Sequence, residues 1–317
     1  MLSNLSIISS QRAKLHEQLL SFYFMPSPII SIGRLIDETW DIYKLRFNEL
    51  MSLSSWLLLL AILFSLSLSL YPSASTLWLS NELSWSEYVG VILFAITNYF
   101  IAPLLGIWVL IALSRLVHMH IKGKPCNVKK AVAEVMPRFF PTIIVSVMVG
   151  LLLIVTLVIG FGPTLILATL GTLLQSPTLI IVGNIVLAIG VFVSFGLAFK
   201  WMIQYMLAPY TTIIDGLTDK KALSATQQLV KGRFWGVVLR LAIPKMVFLF
   251  IGIVLMGIVT YATSFLLSVV SGLNMDLQLR LTTLIEWVIP VVIAVLINPL
   301  LIIADLLLYT SLKGEDA

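Results

Sequence analysis

Apolar residues in this chain are gathered into long runs that carry almost no charge. A helix rises about 1.5 Å per residue and the hydrocarbon layer of a bilayer is about 30 Å thick, so about 20 mainly apolar residues are needed to cross it. Runs of that length, separated by charged or proline-containing segments, predict six membrane-spanning helices. The predicted spans lie near residues 51–71, 88–114, 141–161, 179–201, 246–275 and 286–310.

The third and fourth spans come from one stretch, residues 139–199, which has 61 residues and no ionisable group. That length is enough for two crossings. Glycine and proline residues in the middle of the stretch predict a break between the two helices, and they are Gly160, Gly162, Pro163, Gly171 and Pro177. The pattern leaves the path of residues 160–178 open.

The composition is that of an integral membrane protein. Apolar residues make up 59% of the chain and charged residues 11%, against about 45–50% and about 25% in ordinary globular domains. The mean hydropathy is +1.05. A water-soluble fold could not cover its surface with so few charges, so that class is excluded. The one cysteine, Cys126, leaves no intrachain disulfide.

The basic residues predict the orientation of the spans. Of the 20 lysines and arginines, all but Arg280 fall before the first span, after the second, after the fourth, or in the tail. Because such residues in short loops stay in the cytoplasm, this distribution predicts six spans with both termini cytoplasmic. The pI near 9.3 then reflects topology, and nucleic acid is not an expected partner. Residues 1–30 lack the order of a cleavable signal and are predicted to be a cytoplasmic arm before one membrane domain over 31–317.

Three cytoplasmic segments share a pattern. Each begins with a residue that can cap a helix, Ser31, Asn127 or Thr218. Each ends in an Arg-Phe pair just before an apolar run, and these pairs are Arg46-Phe47, Arg138-Phe139 and Arg233-Phe234. The pairs are 92 and 95 residues apart. The spacing predicts three modules, near 31–126, 127–217 and 218–317, each made of an amphipathic helix followed by a two-span hairpin.

Apolar residues within these segments recur at helical spacing, so each segment is predicted to lie on the cytoplasmic surface of the bilayer. There arginine can reach lipid phosphates while phenylalanine enters the acyl layer. Two lysine pairs, Lys129-Lys130 and Lys220-Lys221, add positive charge to the same surface. Anionic lipid headgroups are therefore the expected partners.

Two stretches resemble a known bacterial family. They are LAPYTTIIDGLTDKKALSATQQLVKGRFWGVV, residues 207–238, and NPLLIIADLLLYTSLKG, residues 298–314. Both are similar to parts of the membrane domain fused to some glycerophosphodiester phosphodiesterases and of its stand-alone relatives, although that family often has more charge after the tyrosine. The resemblance implies a multi-pass module of the bacterial cytoplasmic membrane without an established activity. The phosphodiesterase domain itself is a separate soluble barrel, so no catalytic residue is carried over.

Two polar residues fall inside the last span. Asp305 is costly at membrane depth, and it can pair with Arg115, Lys200 or Arg240 as a structural link, or bind a cation in a transport path. Asn298 can form hydrogen bonds between helices. Prolines in the second and sixth spans, Pro103, Pro290 and Pro299, can be simple kinks or the broken helices of a transport site.

Signals for metal or enzyme chemistry are weak. His118, His120 and Cys126 are close in sequence but lack a fourth ligand, so they are expected to lie on a solvated basic loop. Nucleotide-binding and hydrolase motifs are absent from the sequence. We therefore expect no cofactor, no metal and no enzymatic activity.

These observations favour a non-enzymatic membrane protein whose basic surface helices contact anionic lipids and organise a helix bundle or a partner complex. A membrane protein partner or a homo-oligomer is compatible with the pattern. The alternative is a transporter or lipid-moving protein with a path between the three modules.

Overall fold

The structure is a computed structural model that describes residues 29–72, 76, 82–270 and 275–314. The arm predicted over residues 1–30 lies outside the described residues, apart from Ile29 and Ile30. The predicted all-α membrane fold is confirmed, because the regular structure of the described residues is helical and includes six helical stretches that are long and apolar enough to cross a membrane.

Twelve α-helices make up the described part of the chain. They are α1 (Ile32–Leu45), α2 (Phe47–Ser54), α3 (Leu58–Leu70), α4 (Trp85–Ile96), α5 (Ala102–Ile121), α6 (Val128–Ala133), α7 (Met136–Leu173), α8 (Pro177–Tyr205), α9 (Ala208–Asp215), α10 (Asp219–Val230), α11 (Phe234–Val270) and α12 (Met275–Lys313). A short 3₁₀ turn, Ser55–Leu57, joins α2 to α3, and a π-helical turn, Thr97–Ile101, joins α4 to α5.

The six candidate spans are longer than the predicted ones, and they are Phe47–Leu70, Trp85–Ile121, Met136–Leu173, Pro177–Asp215, Phe234–Leu267 and Leu281–Lys313. The last span is the centre of the bundle. The protein buries 67% of the most apolar 18-residue stretch of this span, but only 17% of the corresponding stretch in each of the three spans before it. Its second half is buried almost without interruption from Pro299 to Leu312. The protein therefore leaves most of the apolar surface of the third to fifth spans exposed.

The break between the third and fourth spans lies within the predicted range of residues 160–178, but at its far end, so the third span is longer than predicted. Helix α7 continues through Gly160, Gly162 and Pro163 and ends at Leu173. The chain reverses only over residues 174–176, where Gln175 has a positive φ of 48°. Proline is tolerated inside a membrane helix because neighbouring groups satisfy the freed carbonyl. Gly160 serves helix packing instead, since it lies directly against Gly190 and Ser194 of α8.

The helices of the second and fifth spans also extend beyond the apolar runs that predict them. Helix α5 runs to Ile121, so His118 and His120 lie on a helix and not on the expected loop, and His118 is buried. Helix α11 begins at Phe234, twelve residues before the predicted start, and carries Arg240 and Lys245 within it. The hydropathy pattern marks only the part of a helix that suits hydrocarbon, whereas these helices continue past that part with charged residues.

The three short segments before the odd-numbered spans form helices α1, α6 and α10. The Ser31 and Asn127 side chains cap α1 and α6 by accepting bonds from the backbone amides of Arg34 and Lys130, at 3.3 and 3.2 Å. Thr218 makes no such bond, and the chain enters α10 through a positive φ of 53° at Asp219. Two of the three predicted caps are thus confirmed.

The apolar faces of these helices pack against the protein itself. Leu35 and Thr39 of α1, Ala131 of α6, and Ala222 and Thr226 of α10 are fully buried by other residues. The expectation that lipid headgroups cover these faces is therefore wrong for their central residues. Threonine fits such a face because its hydroxyl bonds to its own helix, as Thr39 does to the Leu35 carbonyl at 2.6 Å.

Candidate functional site: the polar end of the bundle

Charged residues from several helices meet at one end of the bundle, which we call the polar end. It is formed by the last turns of α5, α9 and α12, the first turns of α7 and α11, and helices α1, α6 and α10. Most of the contacts that define it link different helices, and they fall into four groups.

The first group surrounds Asp305 of α12. Its carboxylate pairs with Lys245 Nζ of α11 at 2.9 Å and accepts a hydrogen bond from the Tyr210 hydroxyl of α9 at 3.2 Å. Both Asp305 and Tyr210 are buried. None of the partners proposed from the sequence is correct, since the early start of α11 places Lys245 at the depth of Asp305. The arrangement is a closed ion pair that joins the fourth, fifth and sixth spans.

The second group lies further along the same face of α12. Tyr309 and Lys313 follow Asp305 at intervals of four residues, so all three point the same way. The Tyr309 hydroxyl donates to Asp215 Oδ2 at 2.5 Å, and Lys313 Nζ lies 2.9 Å from Asp215 Oδ1. The Tyr210 and Tyr309 rings stack at 6.4 Å. Helix α9 thus runs beside α12 in the same direction, as the ends of two even-numbered spans must.

The third group holds α5 to α6 and α7. Arg115 of α5 forms an ion pair with Glu134, and Arg138 Nη1 lies 3.7 Å from the same carboxylate. Arg138 also donates to the Glu134 carbonyl at 3.1 Å. This arginine was predicted to face lipid phosphate, and the structure gives it a protein partner instead.

In the fourth group, Arg240 of α11 ties the chain before α1 to the bundle. Its Nε donates to the Ile30 carbonyl at 2.5 Å, and its Nη1 donates to the Gly236 carbonyl at 3.0 Å. The Ile30 amide in turn donates to Ser311 Oγ of α12 at 2.9 Å. The start of the membrane domain is therefore fixed to its last helix.

The three Arg-Phe pairs do not have equivalent surroundings. Arg46 pairs with Glu49 at 3.3 Å, and Phe47 begins α2 with 42% of its surface exposed. Arg138 and Phe139 lie inside α7 and not at a junction. Phe234 is the first residue of α11, and Arg233 directly precedes it. Among the described residues, Arg233 forms no ion pair.

Two cavities are lined by polar residues that the sequence indicates or that lie at the polar end. Asn298 is half-buried and lines a groove of about 210 Å³ between α11 and α12, with Pro290 and Gly252. Glu38, Asp41 and His120 line a cavity of about 290 Å³, but Glu38 already pairs with Arg34 and Asp41 with Lys44. Within the described ranges, no three histidine, cysteine or acidic side chains come together as a metal site.

Cys126 lies in the loop between α5 and α6, where it is half-buried. Burial raises the pKa of its thiol above the ordinary value, against the opposing effect of the Arg46 charge. The thiol is therefore a weaker nucleophile at neutral pH than a free cysteine.

No protein-family model, curated protein or solved structure matches this chain. The resemblance to the phosphodiesterase membrane domain stays a prediction that depends on the residues quoted for it. Function has to be inferred from the polar end itself.

Four predicted lipid contacts remain fully available at this end. Lys129 and Lys130 of α6 and Lys220 and Lys221 of α10 are exposed, and in the described part of the chain none of them forms an ion pair. The polar end therefore combines a closed interior, in which acidic and basic groups neutralise one another, with an outer layer of unpaired positive charge.

Proposed function

We propose that this chain is a multi-pass protein of the bacterial cytoplasmic membrane, with both termini in the cytoplasm, that binds anionic phospholipids at its polar end and is not an enzyme. One observation carries the proposal. Helices α6 and α10 bury their apolar faces in the bundle and leave Lys129, Lys130, Lys220 and Lys221 exposed and without acidic partners among the described residues.

The charge of these four lysines is best compensated by lipid. Each lysine near an anionic leaflet contributes about 1 kcal/mol of attraction. Helices α6 and α10 both adjoin α7, because α6 leads into it and Ala222 of α10 packs with Val145 of α7. The four lysines would enrich anionic lipids around the protein and fix the depth of the bundle. The exposed sides of the third to fifth spans leave room for a membrane partner or a second copy.

Neutralising the lysines tests the proposal. In the variant K129Q/K130Q/K220Q/K221Q, the preference of the purified protein for phosphatidylglycerol over phosphatidylcholine is expected to fall by at least about tenfold. The preference is measured by native mass spectrometry of lipids retained from mixed vesicles. In the wild type it should also weaken at high salt, because exposed charges are screened.

A charge-preserving variant provides the control. K129R/K130R/K220R/K221R keeps the positive charge and should retain the wild-type lipid preference. If the glutamine variant keeps that preference too, these lysines do not bind anionic lipid and the proposed function is wrong.

The orientation is tested separately with the native cysteine. A membrane-impermeant maleimide is expected to label Cys126 in inside-out vesicles and not in intact cells. Because burial raises the pKa of this thiol, the thiolate is scarce at neutral pH and labelling should accelerate as the pH is raised. In a Cys126→Ser background, Ser86→Cys near the start of α4 should show the opposite sidedness. Labelling of Cys126 in intact cells would refute the proposed orientation.

A further inference from the structure

A cavity of about 380 Å³ lies between the end of α8 and the turn that joins α10 to α11. Its walls come from two segments, and the lining residues used below are Gly196, Phe199, Lys200, Lys231, Phe234 and Trp235. Ligand pockets in proteins begin at about 300 Å³, so the cavity can take a small polar group together with part of a larger molecule.

The cavity is positively charged. Lys200 and Lys231 are both exposed side chains on its wall. Among the described residues neither forms an ion pair, and no acidic residue lines the cavity. Lys200 and Lys231, which are 31 residues apart in sequence, thus meet at one opening, and no acidic residue is among the described residues of its wall.

The other walls are aromatic. Phe199 and Phe234 pack edge to face at 6.2 Å, and Phe234 packs on Trp235 at 5.5 Å. Trp235 is 69% exposed, and exposed tryptophan is typical of the headgroup level of a bilayer. The cavity therefore has a cationic part beside an apolar part at the boundary of a spanning helix.

We propose that this cavity binds the phosphodiester headgroup of one anionic glycerophospholipid, with Lys200 and Lys231 at the phosphate and the aromatic rings against the glycerol and upper acyl carbons. This inference rests on the proposed function, and it adds a single specific site to a diffuse attraction. Basic pockets beside spanning helices on the cytoplasmic side are suited to such headgroups. Gln204, which is also on the wall, can donate an amide hydrogen bond to the ligand.

Two kinds of variant test the site. K200Q/K231Q removes the charge, and Gly196→Leu fills the space, since a Cβ at Gly196 meets no atom within 4 Å. The matched control is Gly257→Leu, because Gly257 lies on α11, also has open space at its Cβ and is not on the cavity wall. Native mass spectrometry of protein from mixed phosphatidylglycerol and phosphatidylcholine vesicles counts the lipids retained.

The wild type and Gly257→Leu should retain one phosphatidylglycerol at high salt, when diffuse attraction is screened. K200Q/K231Q should lower the affinity for this lipid by about 25-fold, since each lysine near an anionic headgroup contributes about fivefold. Gly196→Leu should abolish the retention of this lipid at high salt, although this substitution does not change the charge of the cavity. Retention equal to that of the wild type in both cavity variants would overturn the inference, as would equal loss in Gly257→Leu.

Competition with soluble phosphate compounds tests whether the cavity binds a free phosphate and not a lipid. Millimolar inorganic phosphate or glycerol phosphate should not displace the retained lipid, because neither has the apolar part that contacts the rings. Displacement would assign the cavity to a free phosphate ligand and overturn the lipid assignment. The variant K129Q/K130Q/K220Q/K221Q separates this inference from the proposed function. It should lose the diffuse preference seen at low salt and keep the single lipid retained at high salt.

Discussion

Asp305→Asn is expected to lower the free energy of unfolding by about 3–5 kcal/mol, the cost of leaving one member of a buried ion pair without its partner. The substitution keeps the size of the side chain and can still accept the hydrogen bond from Tyr210. It leaves the Lys245 ammonium, which is 17% exposed, without a carboxylate. The loss is measured by denaturation in detergent micelles or bicelles, followed by circular dichroism.

Asp215→Asn is the matched control, because Asp215 pairs with Lys313 on the same face of α12. Asp215 and Lys313 form a pair of the same length, but their side chains are 22% and 26% exposed. Pairs near the surface contribute about 1 kcal/mol or less. The double variant Asp305→Leu/Lys245→Met should recover most of the stability, because a buried pair can often be replaced by apolar residues of similar volume. Equal losses in Asp305→Asn and Asp215→Asn would show that the buried pair is no more important than the outer one.

The ion-pair partner of Asp305 could not be predicted from the sequence. Asp305 stands out by its charge inside an apolar run, but its partner depends on where α11 begins. Hydropathy places that start at residue 246, just past Lys245, whereas the helix begins at Phe234. Asp215 and Tyr309 lie in the two stretches that resemble the phosphodiesterase membrane domain, but no pattern in the sequence pairs them. Only the interval of four residues between Asp305, Tyr309 and Lys313 indicates a shared face, and it does not indicate what the face contacts.

Most of the fold could be predicted because a bilayer imposes it. Six apolar runs have to become helices, since no water is present to satisfy a free backbone. The same constraint does not locate turns when apolar residues continue through them. Helix α7 continues through Gly160, Gly162 and Pro163 to Leu173, and the chain reverses only at residues 174–176, where the polar residues Gln175 and Ser176 precede Pro177.

The cavity could be predicted only in part. Arg233 and Phe234 were recognised from the repeat, and Phe234 is on the wall. In the sequence, Lys200 and Lys231 indicate only the orientation of the spans. Their meeting at one opening depends on α10 turning back along α8, which no local pattern in the sequence reports.

Gly190→Ala is expected to destabilise the pair of helices α7 and α8 by about 3 kcal/mol, near the upper end of the cost of overpacking. A Cβ at Gly190 would lie 2.1 Å from the Gly160 carbonyl oxygen, which is backbone and cannot rotate away. The helices would have to move apart. They would then lose the hydrogen bond from Ser194 Oγ to the Thr156 carbonyl, now 3.0 Å long. Small residues allow this close approach, as in many membrane helix pairs.

Gly196→Ala on the same helix is the control with the opposite expected sign. Its Cβ meets no atom within 4 Å, and alanine favours a helix over glycine by about 1 kcal/mol. Ser194→Ala removes the hydrogen bond without overpacking and should cost about 0.6 kcal/mol. If Gly190→Ala is as stable as Gly196→Ala in the same denaturation assay, the close approach of α7 and α8 is wrong. A large loss confined to Gly190→Ala would show that the stability of this pair depends on the close backbone approach at Gly160 and Gly190.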